Sequence, residues 1–170
     1  MLMERVFLNY SVEKLRQLHS RIETCLDKLD YDQIWARGSG NANAVGNLVL
    51  HLCGNLRQWI GFGVARMPDI RVRDREFAAR GGIEATELKE RLRAIVEETT
   101  AIIAGLTAER LVETTRVQKY ELTVLEAIYH VVEHFSQHTG QIIFATKALT
   151  GEDMGFYSHL AQPKHSEQTP

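Results

Sequence analysis

The stretch Thr123-Val124-Leu125-Glu126-Ala127-Ile128-Tyr129-His130-Val131-Val132-Glu133-His134-Phe135-Ser136-Gln137-His138 decides the fold. Thr123 followed three residues later by Glu126 is a capping-box pattern, which predicts that a helix opens there. Val124, Ile128, Val131 and Phe135 then recur at steps of three and four, the spacing that keeps one helical face buried. Ile142 and Ala145 continue the stripe to about residue 149, and Gly151 is expected to stop the helix.

Three more helices follow from the same periodicity. The first carries Leu8, Leu15, Leu18, Ile22, Leu26 and Leu29; Asp30-Tyr31-Asp32 ends it, and Gly38-Ser39-Gly40 breaks the chain. The second covers about residues 43–66, with Val45, Leu48, Val49, Leu52, Leu56 and Trp59 or Ile60 inward. Its Gly46, Gly54, Gly61 and Gly63 each cost up to about 1 kcal/mol against Ala. They imply close helix packing or, at Gly61-Phe62-Gly63, a frayed end. The third covers about residues 85–106 on Leu88, Leu92, Ile95, Val96, Ile102 and Ile103. Residues 67–83, with Pro68 and Gly81-Gly82, read as a long connection, and residues 112–122 as extended. Pro163 and Pro170 fall in a polar tail. Four amphipathic helices with one long crossover predict an all-α fold, a helical bundle over residues 1–161 with a tail at 162–170.

Composition narrows the function classes. The chain has 170 residues, the size of one ordinary domain, with 44% apolar and 25% charged residues. Its 20 Lys and Arg against 22 Asp and Glu leave a formal charge of −2, so no nucleic acid or anionic membrane partner is expected. Cys25 and Cys53 lack CxxC spacing and read as small buried apolar residues of a reducing compartment. Met1-Leu2-Met3-Glu4-Arg5 does not resemble a secretory signal, and no apolar run reaches about 18 residues. A cytoplasmic protein is expected.

Histidines carry the chemistry. His130, His134 and His138 follow one another at four-residue steps on the fourth helix. Side chains so spaced have Cβ atoms about 5–6 Å apart, which lets two imidazoles reach one ion at about 2.0–2.1 Å. Position 138 falls within the apolar stripe, and a buried imidazole needs a partner. An HxxxH pair alone also occurs on surfaces and in hydrogen-bonded cores. His51, beside the inward Leu48 and Leu52, supplies a third imidazole from a second helix, and three imidazoles leave coordination positions open. Spacing alone leaves His130 open as a ligand.

Asn47 and Asn55 lie one turn either side of His51, placed to orient its free ring nitrogen, contact a ligand, or simply cap and face solvent. Trp59 is a candidate pocket wall. No HExxH occurs: Phe135 follows His134, and Glu133 lies on a neighbouring side of the helix, so peptidase activity is disfavoured. His19, His159 and His165 read as surface residues, and nothing in the sequence places Tyr129 or Tyr157. Arg66, Arg71, Arg73, Arg75 and Arg80 mix with Asp69, Asp74 and Glu76 in the crossover. They read as a solvated loop of internal ion pairs or as an anion site at a cleft mouth.

The run Gly46-Asn47-Leu48-Val49-Leu50-His51-Leu52-Cys53-Gly54-Asn55-Leu56-Arg57-Gln58-Trp59, with His134-Phe135-Ser136-Gln137-His138-Thr139-Gly140-Gln141-Ile142, resembles the DinB-like superfamily. The likeness is greatest to its branch of small uncharacterised bacterial proteins and covers most of the chain. Arg71-Val72-Arg73-Asp74-Arg75-Glu76-Phe77 is also typical of that branch. The resemblance implies a four-helix bundle in up-down-down-up order, often a homodimer. It implies a divalent metal, zinc or nickel, on His51, His134 and His138, with His130 one turn before the pair. Characterised relatives are metal-dependent enzymes using low-molecular-weight thiols, including bacillithiol transferases and a mycothiol-dependent maleylpyruvate isomerase.

Several readings of function follow. The first is a metal-dependent enzyme, a transferase joining a low-molecular-weight thiol to a small electrophile, with metal-dependent hydrolysis as its sister form. The second is a non-catalytic bundle whose histidines or metal tie helices together while a protein surface does the work. A third is ligand or metal binding without turnover.

Overall fold

Thr123 caps the longest helix as its sequence requires: its hydroxyl accepts from Glu126 N at 3.2 Å, and its own N–H donates to the Glu126 carboxylate at 2.7 Å. The computed structural model describes residues 3–160; the expected polar tail, with His165, lies outside them. Four long helical stretches share one core: α1 (Met3–Asp27), α3 (Val45–Leu56), α5 (Ala85–Ala104) and α7 (Val124–Thr150). Between them come the short α2 (Tyr31–Trp35), α4 (Arg73–Ala78) and α6 (Ala108–Leu111). α1 packs against α5 and α7, and α3 packs against the same two. Leu8, Leu15, Ile22, Leu52, Leu88, Leu92 and Phe135 are fully buried where these faces meet. Gly151 ends α7 in the left-handed conformation, φ 71°, and its N–H closes the last turn on Lys147 O.

Three local features refine the sequence expectations. Asp30 does not merely end α1; its carboxylate accepts from Gln33 N at 2.8 Å and starts α2, which sets the Trp35 ring against Gly46. The expected extended stretch at residues 112–122 starts at Thr114 and forms an antiparallel ribbon of β1 (Thr114–Val117) and β2 (Tyr120–Thr123) on a mostly helical fold. The end of the second helix does not fray. Arg57–Phe62 is a π-helical turn in which Gly63 N and Ala65 N reach back five residues, to Gln58 O and Ile60 O. No helix among the described residues is long and apolar enough to cross a membrane.

The crossover between α3 and α5 is mostly solvated, but its internal Arg71–Glu76 ion pair is drawn inward against α3. Asn47, fully buried in α3, donates to Glu76 O at 2.8 Å and Ala79 O at 2.9 Å, while its Oδ1 accepts from Arg37 at 2.7 Å and Ala44 N at 3.1 Å. One amide thus caps α3 and pins α4 to it. Each such bond contributes about 1 kcal/mol net, and losing a buried partner costs about 1–3 kcal/mol.

Candidate metal centre

His51 projects from α3 and His134 and His138 from α7, all towards one point. A ring nitrogen from each lies within 4.8 Å of those of the other two, and His51 Nε2 is 2.9 Å from His134 Nε2. The His51 ring centroid is 5.0 Å from both other rings, and those two are 4.5 Å apart, all edge-on.

In His51 and His138 the nitrogen turned away from that point has an acceptor. His51 Nδ1 lies 2.9 Å from Glu76 Oε2. Burial pushes the Glu76 carboxyl up, but hydrogen bonds from Arg71 and His51 outweigh it and hold it below the usual carboxylate range. An ionised carboxylate only accepts, so His51 Nδ1 carries the proton and Nε2 presents a lone pair. His138 Nδ1 lies 2.7 Å from Gln141 Oε1, another acceptor, so its lone pair is also on Nε2. This is the arrangement in which outer partners fix the tautomer of metal-binding histidines.

Arg71 holds Glu76 in place. Its Nε donates to Oε1 and its Nη2 to Oε2, both at 2.8 Å, and its side chain is only 2% exposed. Arg71 Nη2 also lies 3.0 Å from His51 Nδ1; both are donors there, so the approach reflects their shared acceptor. Arg71 Nη1 donates to Gln58 Oε1, which also accepts from Gln118 in the ribbon turn. Gly54 makes the carboxylate's position possible, since a Cβ there would lie 1.9 Å from Glu76 Oε1. Phe77 covers His51, ring centroids 4.7 Å apart.

These residues fit a divalent ion. Ligands about 2.0–2.1 Å from a metal stand roughly 2.9–3.4 Å apart between right-angled and tetrahedral geometry, and the His51–His134 separation falls in that window. Without an ion, the same contact is a hydrogen bond from His134 Nε2–H to His51 Nε2. Burial first, then the neighbouring His138, His51 and His130, pushes the His134 pKa down to about 3, so it is neutral, and ligation through Nε2 needs only the tautomer with its proton on Nδ1. Burial likewise lowers His138 and His130. A cleft of about 540 Å³ opens beside His51 and His134, lined also by Asn55, Trp59, Arg73 and Tyr120. A ligand added to an ion there would come from that cleft.

The other sequence candidates fall elsewhere. His130 lies against Trp59, ring centroids 3.9 Å apart, and lines the cleft outside the three-nitrogen cluster. Asn55 is buried and lines the cleft. Asn47 does not orient the His51 ring; Glu76 takes that place, and Asn47 holds the backbone on which Glu76 sits. His19 is not a surface residue: its side chain is 12% exposed, and burial lowers its pKa. His159 is exposed, as are Tyr129 and Tyr157, which line other grooves. Burial pushes the Cys53 thiol up to about 12, which leaves it unreactive. The sequence reading placed Arg71 and Glu76 in a solvated loop or anion site and quoted Phe77 and Gln141 only within family-like runs; it gave none of them a role beside the histidines. Gly54, three residues after His51 and so on a neighbouring part of its helical face, was the available signal for a side chain approaching the helix.

The fold is DinB-like. A conserved protein from Enterococcus faecalis aligns at a TM-score of 0.67 and 18% identity, over 85% of this chain and 97% of that one. A DinB-like protein from Bacillus subtilis, YjoA, aligns at 0.66 and 16% identity, over 87% and 97%. Identities so low speak to fold alone. No curated protein matches the chain. A family model matches residues 3–164, and the chain therefore belongs to the family described as "Protein of unknown function (DUF1572)".

Proposed function

We propose that the protein is a metal-dependent enzyme in which His51, His134 and His138 hold one divalent ion, zinc or nickel, and which uses a low-molecular-weight thiol against a small electrophile. The observation that carries this reading is the convergence of three ring nitrogens at the edge of an open cleft, with His51 Nδ1 on a buried carboxylate. Three imidazoles suit a borderline metal and leave room for an outside ligand. A divalent ion there would lower the pKa of a thiol or water at its open position. Glu76 and Arg71 keep His51 in the ligating tautomer, Gln141 does so for His138, and Trp59 and Tyr120 wall the cleft. Both cysteines are poor nucleophile candidates, Cys25 buried and Cys53 with a raised pKa, which supports an external thiol.

We assign the four long helices to up-down-down-up order. The 20 residues of α5 span about 30 Å, and the crossover of residues 63–84 is long enough to return that distance and start α5 parallel to α3.

The test is consumption of several cellular thiols against a panel of electrophiles, with zinc-loaded and metal-free protein. Zinc-dependent thiol consumption that disappears in His51→Ala is expected. Electrophile turnover without thiol would move the assignment to hydrolysis. No turnover under any combination would leave the second reading, favoured by the 2.9 Å nitrogen contact that ties α3 to α7 unaided.

A further inference from the structure

Arg73 stands apart from the other cleft residues. It is exposed, lines the cleft, and forms no ion pair among the described residues, whereas Arg71 is locked on Glu76 and Glu121 across the cleft is paired with Arg116. Its guanidinium lies over the Phe77 ring at 4.9 Å, and that ring is 4.7 Å from the His51 ring. Stacking on Phe77 leaves the edge of the fork open for an acceptor while limiting how far it swings. The cation therefore sits within about 10 Å of the His51 ring, roughly the length of a small organic molecule. Trp59, Tyr120 and Leu122 form an apolar wall of the same cleft, with the two aromatic centroids 6.1 Å apart.

We infer that the cleft takes a small carboxylic acid with a flat apolar body, its carboxylate on Arg73 and its body along Trp59 and Tyr120. This rests on the enzymatic reading for the identity of the reacting end, which would lie at the three histidines. A carboxylate suits the site better than a phosphate. One unpaired guanidinium matches a monoanion bidentately and leaves the second charge of a dianion without a partner among the described cleft residues. The wall gives binding without orientation, and Arg73 supplies the orientation, the usual division of labour in small-molecule sites.

The experiment titrates metal-free protein with 3-phenylpropanoate and its neutral isostere 3-phenylpropanamide by calorimetry, in wild type, Arg73→Gln and Tyr120→Ala. Both replaced side chains are exposed, so folding is not at stake. The expected result is that the acid binds about tenfold tighter than the amide, that Arg73→Gln removes the difference, and that Tyr120→Ala weakens both ligands. Equal binding of acid and amide, no binding of either, or an acid preference that survives in Arg73→Gln overturns the inference. Repeating the titration with zinc-loaded protein separates the two readings. Acid binding that appears only with zinc and ignores Arg73→Gln would make the carboxylate a metal ligand, refuting the subsite while supporting the metal centre. Failure to take up zinc at all would sink the enzymatic reading and leave the metal-free titration to judge Arg73.

Discussion

Two regions build one site in different ways. α3 and α7 contribute His51, His134 and His138 from long, regular backbone whose position is set by a packed core. The crossover contributes Arg71, Glu76 and Phe77 from a short helix and loop held by side-chain bonds to α3. Rigid elements aim the nitrogens, and the crossover decides which His51 nitrogen carries the proton and where one cleft wall stands. Precision at a ligand point follows from helix packing, whereas tautomer control can be delivered by a loop if enough buried bonds pin it.

That contrast can be broken or sharpened by substitution. Loss of a helix-borne ligand should have the largest effect: His134→Ala is expected to weaken zinc binding by more than about a hundredfold, beyond the range of lost outer partners, as read by competition with a chromogenic chelator. Next comes the crossover's carboxylate. Glu76→Gln keeps an acceptor for His51 Nδ1 but loses the charge and half of the Arg71 clamp, and zinc affinity should fall about 10–100-fold alongside a loss of stability. Equal losses in the two variants would erase the distinction between ligand and orienting group.

Smaller effects are expected further from the nitrogens. Asn47→Ala should cost about 1–3 kcal/mol in denaturant unfolding, because it strips buried partners from α3 and α4, yet change zinc affinity less than tenfold. A larger loss of zinc than in Glu76→Gln would mean that crossover docking, rather than the carboxylate, governs the site.

The smallest expected effect is on pH. His134 titrates at about 3 in the folded metal-free protein against 6.5 for the free side chain, and His138 and His130 shift the same way. Below pH about 6.5 the unfolded chain therefore binds more protons than the folded one, and stability falls as pH falls. Glu76 acts in the same direction lower down: its folded pKa is depressed, so its contribution is present above 4.5 and fades on acidification. Because the imidazoles are partly solvated, the melting temperature of metal-free protein should drop by only a few degrees between pH 7.5 and 5.5. His134→Gln should flatten that slope, and an unflattened slope would assign the effect to His138, His130 or His19.

Much of this was legible in the sequence because helices write their burial into period and caps. The stripe from Val124 to Ile142, the Thr123 cap and the Gly151 stop located α7 to within a residue or two. The four-residue steps put the histidines on one face, and His51 was linked to them by its place among inward leucines. The crossover was not legible. Arg71 and Glu76 are five residues apart in an irregular segment, where no periodicity says which charge turns inward, and charged residues in loops are usually solvated. Their burial depends on Gly54 and Asn47 in a different helix, a tertiary relation that local pattern does not encode. The π-helical turn was hidden for a similar reason: it shifts a helix by one residue without altering its composition.

The most direct measurement is the X-ray absorption spectrum of zinc-loaded protein prepared without a polyhistidine tag, in wild type and in His51→Ala. The wild type is expected to show about three imidazole nitrogens at about 2.0–2.1 Å with one water oxygen, and the variant to lose the bound zinc or one imidazole ligand. A wild-type spectrum dominated by oxygen ligands, or one identical in the two proteins, would contradict a metal centre shared between α3 and α7.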